Sequence, residues 1–184
     1  DKNLLLGVTI DDMAQSITTS VQGDMSPDMK SVKGKTFDMV LSPLGSEVDV
    51  AGAEAITYDS AGGTTNVASS FKLFFPDLPG KPLKVGDSWP STSGADQKGS
   101  GMNIRMDFQN VNTLEGVETV DGMECARIKS QVTSTISGTG NQQGMDMVLA
   151  GTGKGTEIWY FAIKEGIYIK STSELVYETS VTVS

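Results

Sequence analysis

Val117-Glu118-Thr119-Val120-Asp121-Gly122-Met123-Glu124-Cys125-Ala126-Arg127-Ile128 is the stretch whose reading decides the fold. Asp-Gly between two alternating runs is the strongest short-range hairpin signal, because a two-residue type I′ turn needs positive φ at both central residues. Val117 to Val120 leads in and Glu124 to Ile136 leads out. On the outgoing run Ala126, Ile128, Val132 and Ile136 share one face with Ser130 and Ser134. That is the period-two pattern of a half-buried strand, and it predicts a long antiparallel hairpin.

Upstream, Met102, Ile104, Met106 and Phe108 alternate strictly with polar residues, predicting another strand. Before it, the polar run Ser91 to Gly101 reads as a loop or mobile tip, and Lys84-Val85-Gly86-Asp87-Ser88-Trp89 as a tight turn feeding a strand. Pro76, Pro79 and Pro82 exclude a helix interior or a central strand from the segment between them. Phe71, Phe74, Phe75 and Trp89 read as core packing. Nearer the N-terminus, Ser42-Pro43-Leu44-Gly45 predicts a hairpin between Phe37–Leu41 and Val48–Val50. Ala53 to Ile56 reads as a helix start broken by Gly62-Gly63, and Gly23 to Gly34 as a long loop. Leu4, Leu6, Val8 and Ile10 predict a first strand, with a turn at Asp11-Asp12 and a return strand through Ile17, Thr19 and Val21.

Downstream, Gly138 to Gly144 reads as a loop and Met145, Met147 and Leu149 as the start of a strand. Thr156–Ile163, a turn at Lys164-Glu165-Gly166 and Ile167–Lys170 form a second hairpin, and Leu175, Tyr177, Thr179, Val181 and Val183 a closing strand. The sum is roughly nine to eleven strands, the spacing of a sandwich or barrel. Runs as long as Gly101–Val111 and Met123–Ile136 favour a large curved sheet instead. The expectation is one all-β, mainly antiparallel domain over residues 1–184, an unclosed barrel or half-barrel with at most a short helix. Asp1 opens and Ser184 closes on strand-like runs, so a mature or trimmed form lacking flanking strands is expected.

Composition narrows the function. Lys and Arg total 14 against 23 Asp and Glu, a formal charge of −9, whereas a nucleic-acid binder needs a basic stripe to displace counterions. Lys30, Lys33 and Lys35 form the densest basic group and read as a solvated turn. No apolar run approaches the roughly 18 to 20 residues that span a bilayer as a helix. Histidine is absent, which removes the usual general base and the commonest metal ligand. Cys125 is the only cysteine, so no internal disulfide or cysteine metal cluster forms, and it reads as a small buried hydrophobe.

The motif-like strings favour structure over chemistry. Gly151-Thr152-Gly153-Lys154-Gly155-Thr156 lacks the phosphate-loop spacer and its Gly-Lys-Ser/Thr ending, and reads as a glycine-rich turn. Asp11-Asp12 and Asp24/Asp28 lack the alternation, glycine and closing glutamate of a calcium loop. No Gly-x-Ser-x-Gly elbow occurs. No catalytic residue, metal site or cofactor is expected, and an enzyme would need carboxylates clustered in a cleft. The nine methionines suit core filling or a deformable apolar cavity, with soft-metal binding as the third reading.

Leu73-Phe74-Phe75-Pro76-Asp77-Leu78-Pro79, Val85-Gly86-Asp87-Ser88-Trp89, Trp159-Tyr160-Phe161 and Glu165-Gly166-Ile167 occur in an order that resembles a group of uncharacterised bacterial exported β-rich proteins, often lipoproteins. The layout is also similar to the half-barrels of lipoprotein-localisation carriers, in which a curved sheet holds an acyl chain. The resemblance covers Leu73 to the C-terminus; the chain departs from it in lacking a lipobox cysteine. It implies an exported, periplasmic or surface location, anchored by lipid through a missing N-terminus, and no catalytic residues. The expected function is an envelope binding module that shelters a lipid or other apolar molecule, with Met102, Ile104, Met106, Phe108, Trp159 and Phe161 as lining. The alternative is an envelope protein-interaction domain acting through sheet edges and loops.

Overall fold

The structure is a computed structural model that describes residues 2–14, 17–19, 23–26, 28–60, 63–71, 77–99, 101–142 and 144–183. Chain order begins with three short strands, β1 (Leu4–Thr9), β2 (Ile17–Thr19) and β3 (Gly23–Met25), and a 3-10 turn at Lys30–Val32. β4 (Thr36–Leu41) and β5 (Glu47–Asp49) follow, then a 3-10 turn at Ala53–Ala55, β6 (Thr57–Ser60), β7 (Gly63–Asn66) and a short helix, α1 (Val67–Phe71). The second half is five long strands: β8 (Ser88–Gly99), β9 (Met102–Val120), β10 (Met123–Gln142), β11 (Met145–Ala162) and β12 (Ile167–Val183).

In the first half β4 pairs with β1, matching Phe37 with Val8, Met39 with Leu6 and Leu41 with Leu4. Two apolar faces thereby align over a core that includes Val32, Val50, Ala53 and Val67. The return strand expected after Asp11-Asp12 does not pair with β1: Ile17–Thr19 pairs with Gly23–Met25, while Val21 lies outside the described residues. β1 takes the partner whose apolar face matches its own. The expected loop Gly23–Gly34 holds β3 and a 3-10 turn that buries Val32 completely. The helix start at Ala53 is one 3-10 turn, closed by the Ile56 amide donating to the Ala53 carbonyl at 3.2 Å. The Ser42–Gly45 turn forms as expected, with Gly45 at φ +87° and its amide donating to the Ser42 carbonyl at 3.0 Å.

The five long strands form an antiparallel meander in the order β12-β11-β10-β9-β8. Among the described residues β8 and β12 do not pair with each other, so the sheet is open. At about 3.3 Å per residue, the 20 residues of β10 run roughly 65 Å. Asp121 at φ +50° and Gly122 at φ +80° close the β9–β10 hairpin with Val120 opposite Met123, the type I′ geometry their sequence predicts. Three segments expected to break the sheet belong to it instead. Ser91–Gly99 is strand β8, Gly138–Gln142 is the end of β10, and Gly151–Thr156 is the middle of β11. Polar and glycine residues are tolerated there because each strand is bonded to a neighbour whose own pattern sets the register.

Side chains of one parity face inward across all five strands. Rows of paired residues run Leu114–Ile128–Trp159–Ser171, then Trp89–Asn112–Ser130–Glu157–Ser173, then Ser91–Asn110–Val132–Gly155–Leu175. Ser93–Phe108–Ser134–Gly153–Tyr177 follows, and the rows end at Met102–Gly140–Met147–Val183. The outer face is largely polar. At the bulged residue Glu115 the Arg127 guanidinium pairs with Glu115 and also reaches Glu118 at 3.6 Å. Cys125 is buried with Val120 and Ala162 on the outer side of the hairpin end, as expected of a small hydrophobe.

The β11 glycines are where the sheet is tightest. A Cβ at Gly153 would stand 2.6 Å from the Tyr177 ring and would also meet the Ser134 hydroxyl, whereas one at Gly116 meets nothing within 4 Å. Gly153→Ala is therefore expected to cost about 1–3 kcal/mol of stability, while Gly116→Ala stays within about 0.5 kcal/mol of the parent. Urea denaturation of both variants measures the contrast.

Candidate functional site

The inner face divides into three zones along the strands. At the hairpin end, Trp89, Leu114, Ile128 and Trp159 form a buried cluster, with Leu78 and Leu83 of the proline-rich segment packed onto it. Tyr168 meets Trp159 and Phe161 edge-on, at centroid distances of 5.6 and 5.1 Å. The Trp89 indole N–H donates to the Asp77 carbonyl at 2.8 Å, which pins the proline-rich segment over the cluster. Burial, with Asp77 and Glu47 nearby, pushes the Tyr168 phenol far up, so it stays neutral.

Next comes a polar belt. Ser130 donates to Asn112 Oδ1 at 2.6 Å, and Asn112 donates to Ser91 Oγ at 2.9 Å. Asn112 and Ser130 are 0% and 1% exposed, so these bonds stand in for the water both groups gave up. Asn110 donates to Ser91 Oγ at 3.5 Å, and its buried Oδ1 has no partner among the described residues. Glu157 continues the Asn112–Ser130 row. Desolvation raises its carboxyl to about 7, against the opposing effect of the Trp159 indole hydrogen bond. Burial, then the Glu157 charge, raises Tyr177 as well.

Beyond the belt the face turns apolar again over a glycine floor. Phe108, Met106, Ile104 and Met102 on β9 are half-buried, as are Ile136 on β10 and Leu149 and Met147 on β11. Gly138 and Gly140 on β10, and Gly151 and Gly153 on β11, lie between them and β12. Met102 lies directly over Gly140, where a Cβ would come within 2.7 Å of its Cγ. Tyr177, Val181 and Val183 on β12 stay 43–52% exposed.

The six side chains expected to line a site thus share one face but not one zone. Met102, Ile104, Met106 and Phe108 form the open apolar strip, whereas Trp159 lies in the buried hairpin-end cluster with Phe161 packed against it. The floor and the belt were not singled out from the sequence. Gly138-x-Gly140 and Gly151-x-Gly153-x-Gly155 carry the floor as a period-two signal, whereas Asn110 and Asn112 are marked as inward only by continuing the even-numbered series that begins at Met102. On the outer face a shallow depression of about 490 Å³ lies between Asp96, Arg105, Thr139 and Val148. Its guanidinium is engaged by Asp107 at 2.5 Å and Asp96 at 3.2 Å. Among the described residues no three of Asp, Glu or Cys converge as metal ligands, and no helix is long and apolar enough to cross a membrane. Comparison with known protein families, characterised proteins and solved structures finds no match.

Glu157 sets a pH dependence. The unfolded chain gives up this proton near the ordinary 4.5, while the folded chain holds it to about 7. The stability contributed by the neutral carboxyl is therefore complete below about 4.5 and lost as pH rises to about 7. Glu157→Gln is expected to flatten this window and to be ~1–2 kcal/mol more stable than the parent above it, a figure discounted for partial solvent contact. Denaturation midpoints across the pH series test this.

Proposed function

We propose that this chain is a non-catalytic binding module of a bacterial cell envelope, and that its inner face between Phe108 and Met102 shelters one apolar ligand, a lipid or acyl chain. One observation carries the reading: Met102, Ile104, Met106, Phe108, Ile136 and Leu149 remain only half-buried on one face, where a closed core would cover them. An apolar strip of this kind marks a surface that gains by being covered. Methionines on a glycine floor add deformability, which suits a flexible chain better than a rigid ring. The polar belt ends the strip and fits the polar end of an amphipathic ligand. The exported location rests on the resemblance of the Pro-x-Leu-Pro, Val-Gly-Asp-Ser-Trp and Trp-Tyr-Phe strings to exported β-rich proteins.

A second reading, protein interaction through a sheet edge, is favoured by the exposure of every residue from Val176 to Val183. Native mass spectrometry of gently purified protein, followed by organic extraction, separates the two. The expected result is a stoichiometric lipid adduct, weakened about tenfold or more by Met106→Glu, which sets a charge in the strip. A clean apo mass together with no uptake of an added fluorescent fatty acid would remove the apolar-ligand reading.

A further inference from the structure

We infer that the belt end of the apolar strip is a head-group site for a long-chain amine, with the Glu157 carboxylate receiving the ammonium. The inference rests on the apolar-ligand reading above and adds the class of ligand to it. Between the row of Trp89 and the row of Met102, the inward positions of the five strands hold one charged residue among the described residues, Glu157. The lysines and arginines of β8 to β12 all alternate onto the outer face. Gly151, Gly153 and Gly155 precede Glu157 on the same face of β11, so beyond Leu149 no β11 side chain rises between the strip and the carboxyl. Thr179, Tyr177 and Leu175 of β12 lean over those three glycines. On the β12 side the belt is open, with Ser173 exposed and Glu157 half-buried, whereas Trp89 and Asn112 close its β8–β9 side. The rise from Glu157 to Gly151 is about 20 Å, the reach of an extended hexadecyl chain, and it ends level with Met106.

The belt has acceptors to spare and no cation to offer. Glu157 stands between Ser130 of β10 and Ser173 of β12, with Gly155 and Trp159 to either side on its own strand. Tyr177 lies close enough for the Glu157 charge to raise its phenol. Beyond, at the hairpin end, Asp77 and Glu47 add negative charge near Tyr168. In the next row toward the strip, buried Asn110 Oδ1 has no donor among the described residues, and such an acceptor calls for a donor that the chain does not supply. A carboxylate or phosphate head would set a second negative charge there with nothing to neutralise it, forcing one of the two acids to hold a proton. A hydroxyl head would supply a donor and leave the Glu157 charge uncompensated. An ammonium supplies three donors and the missing positive charge. It also offsets the desolvation that otherwise holds the Glu157 proton to about 7.

Displacement of a pyrene-labelled hydrocarbon by hexadecylamine, hexadecanol and palmitate, each below its aggregation limit, reads the head-group preference. Above the Glu157 titration, where the carboxyl is charged, the amine is expected to bind about tenfold more tightly than the alcohol. Palmitate should be the weakest of the three while still displacing the probe. Below the titration, where Glu157 is neutral, the advantage of the amine should shrink several-fold, a contrast that needs no variant. Glu157→Gln should bring the amine down to the alcohol and strengthen palmitate. Glu178→Gln, which removes an equal charge from the outer face of β12, should leave the order unchanged, with circular dichroism confirming that both variants fold. A probe that does not bind, or that none of the three displaces, would remove the apolar-ligand reading and this inference with it. Palmitate bound as tightly as the amine, an amine preference indifferent to pH or to Glu157→Gln, or one that falls equally with Glu178→Gln would overturn the head-group assignment alone.

Discussion

β10 is hydrogen-bonded on both sides for nearly its whole length, to β9 from Met123 to Gly140 and to β11 from Cys125 to Gln142. Everything on the inner face depends on this double ladder. Side chains alternate with period two, so a slip of one residue would turn Ile128, Val132 and Ile136 outward and bring Lys129 and Thr133 in. A slip of two keeps the apolar residues inward, and hydrophobic pattern alone cannot exclude it. Two other features do. The Asp121-Gly122 turn fixes Val120 against Met123, and the buried Asn112 Oδ1 finds its donor only when it stands beside Ser130.

The polar belt therefore works as a register device more than as a source of stability. A satisfied buried hydrogen bond contributes about 1 kcal/mol net, while leaving one such group without a partner costs about 1–3 kcal/mol. In a slipped sheet Asn112 would face Ile128 or Val132, and its Oδ1 would be buried without the Ser130 donor. The penalty for the wrong pairing exceeds the reward for the right one. Glu157 follows the same logic with an ionisable group: desolvation holds it near neutrality, so the belt is least strained when that carboxyl is protonated.

The sequence discloses strands by alternation and turns by their special residues, and the structure agrees where both signals are present. Asp121-Gly122, Ser42–Gly45 and the Met102–Phe108 run are of this kind, and the open, mainly antiparallel sheet follows from them. Judged alone, Ser91–Gly99 reads as part of a loop and Gly151–Thr156 as a glycine-rich turn, because serine and glycine favour turns. In the sheet these residues are required. Serine at position 91 completes the belt, and glycine at 153 makes room for Tyr177. Both requirements come from residues more than twenty positions away in at least one direction, which a local reading does not register. The parity of β9 was legible and correctly put Met102, Ile104, Met106 and Phe108 on one face. The separation of Trp159 and Phe161 into another zone depends on how far along β11 they sit, which needs the pairing register itself.

The length of the strands explains why the two ends of the sheet differ. At the hairpin end the proline-rich segment supplies Leu78 and Leu83 to the inner face, and Val120, Cys125 and Ala162 make a small core on the outer one. The first half of the chain has its own core and reaches the sheet at β8, where Thr65 meets Gln97. Short strands spread their stabilisation over a compact layer that a few loops can cover. Strands of 17 to 20 residues outrun that cover, and the apolar alternation of β9 and β12 continues past the point where it falls away. Alternation without a covering layer has no folding role that polar residues could not fill at lower solubility cost. It persists to Met102, where the β9 strip is half-buried, and to Val183, where β12 is exposed.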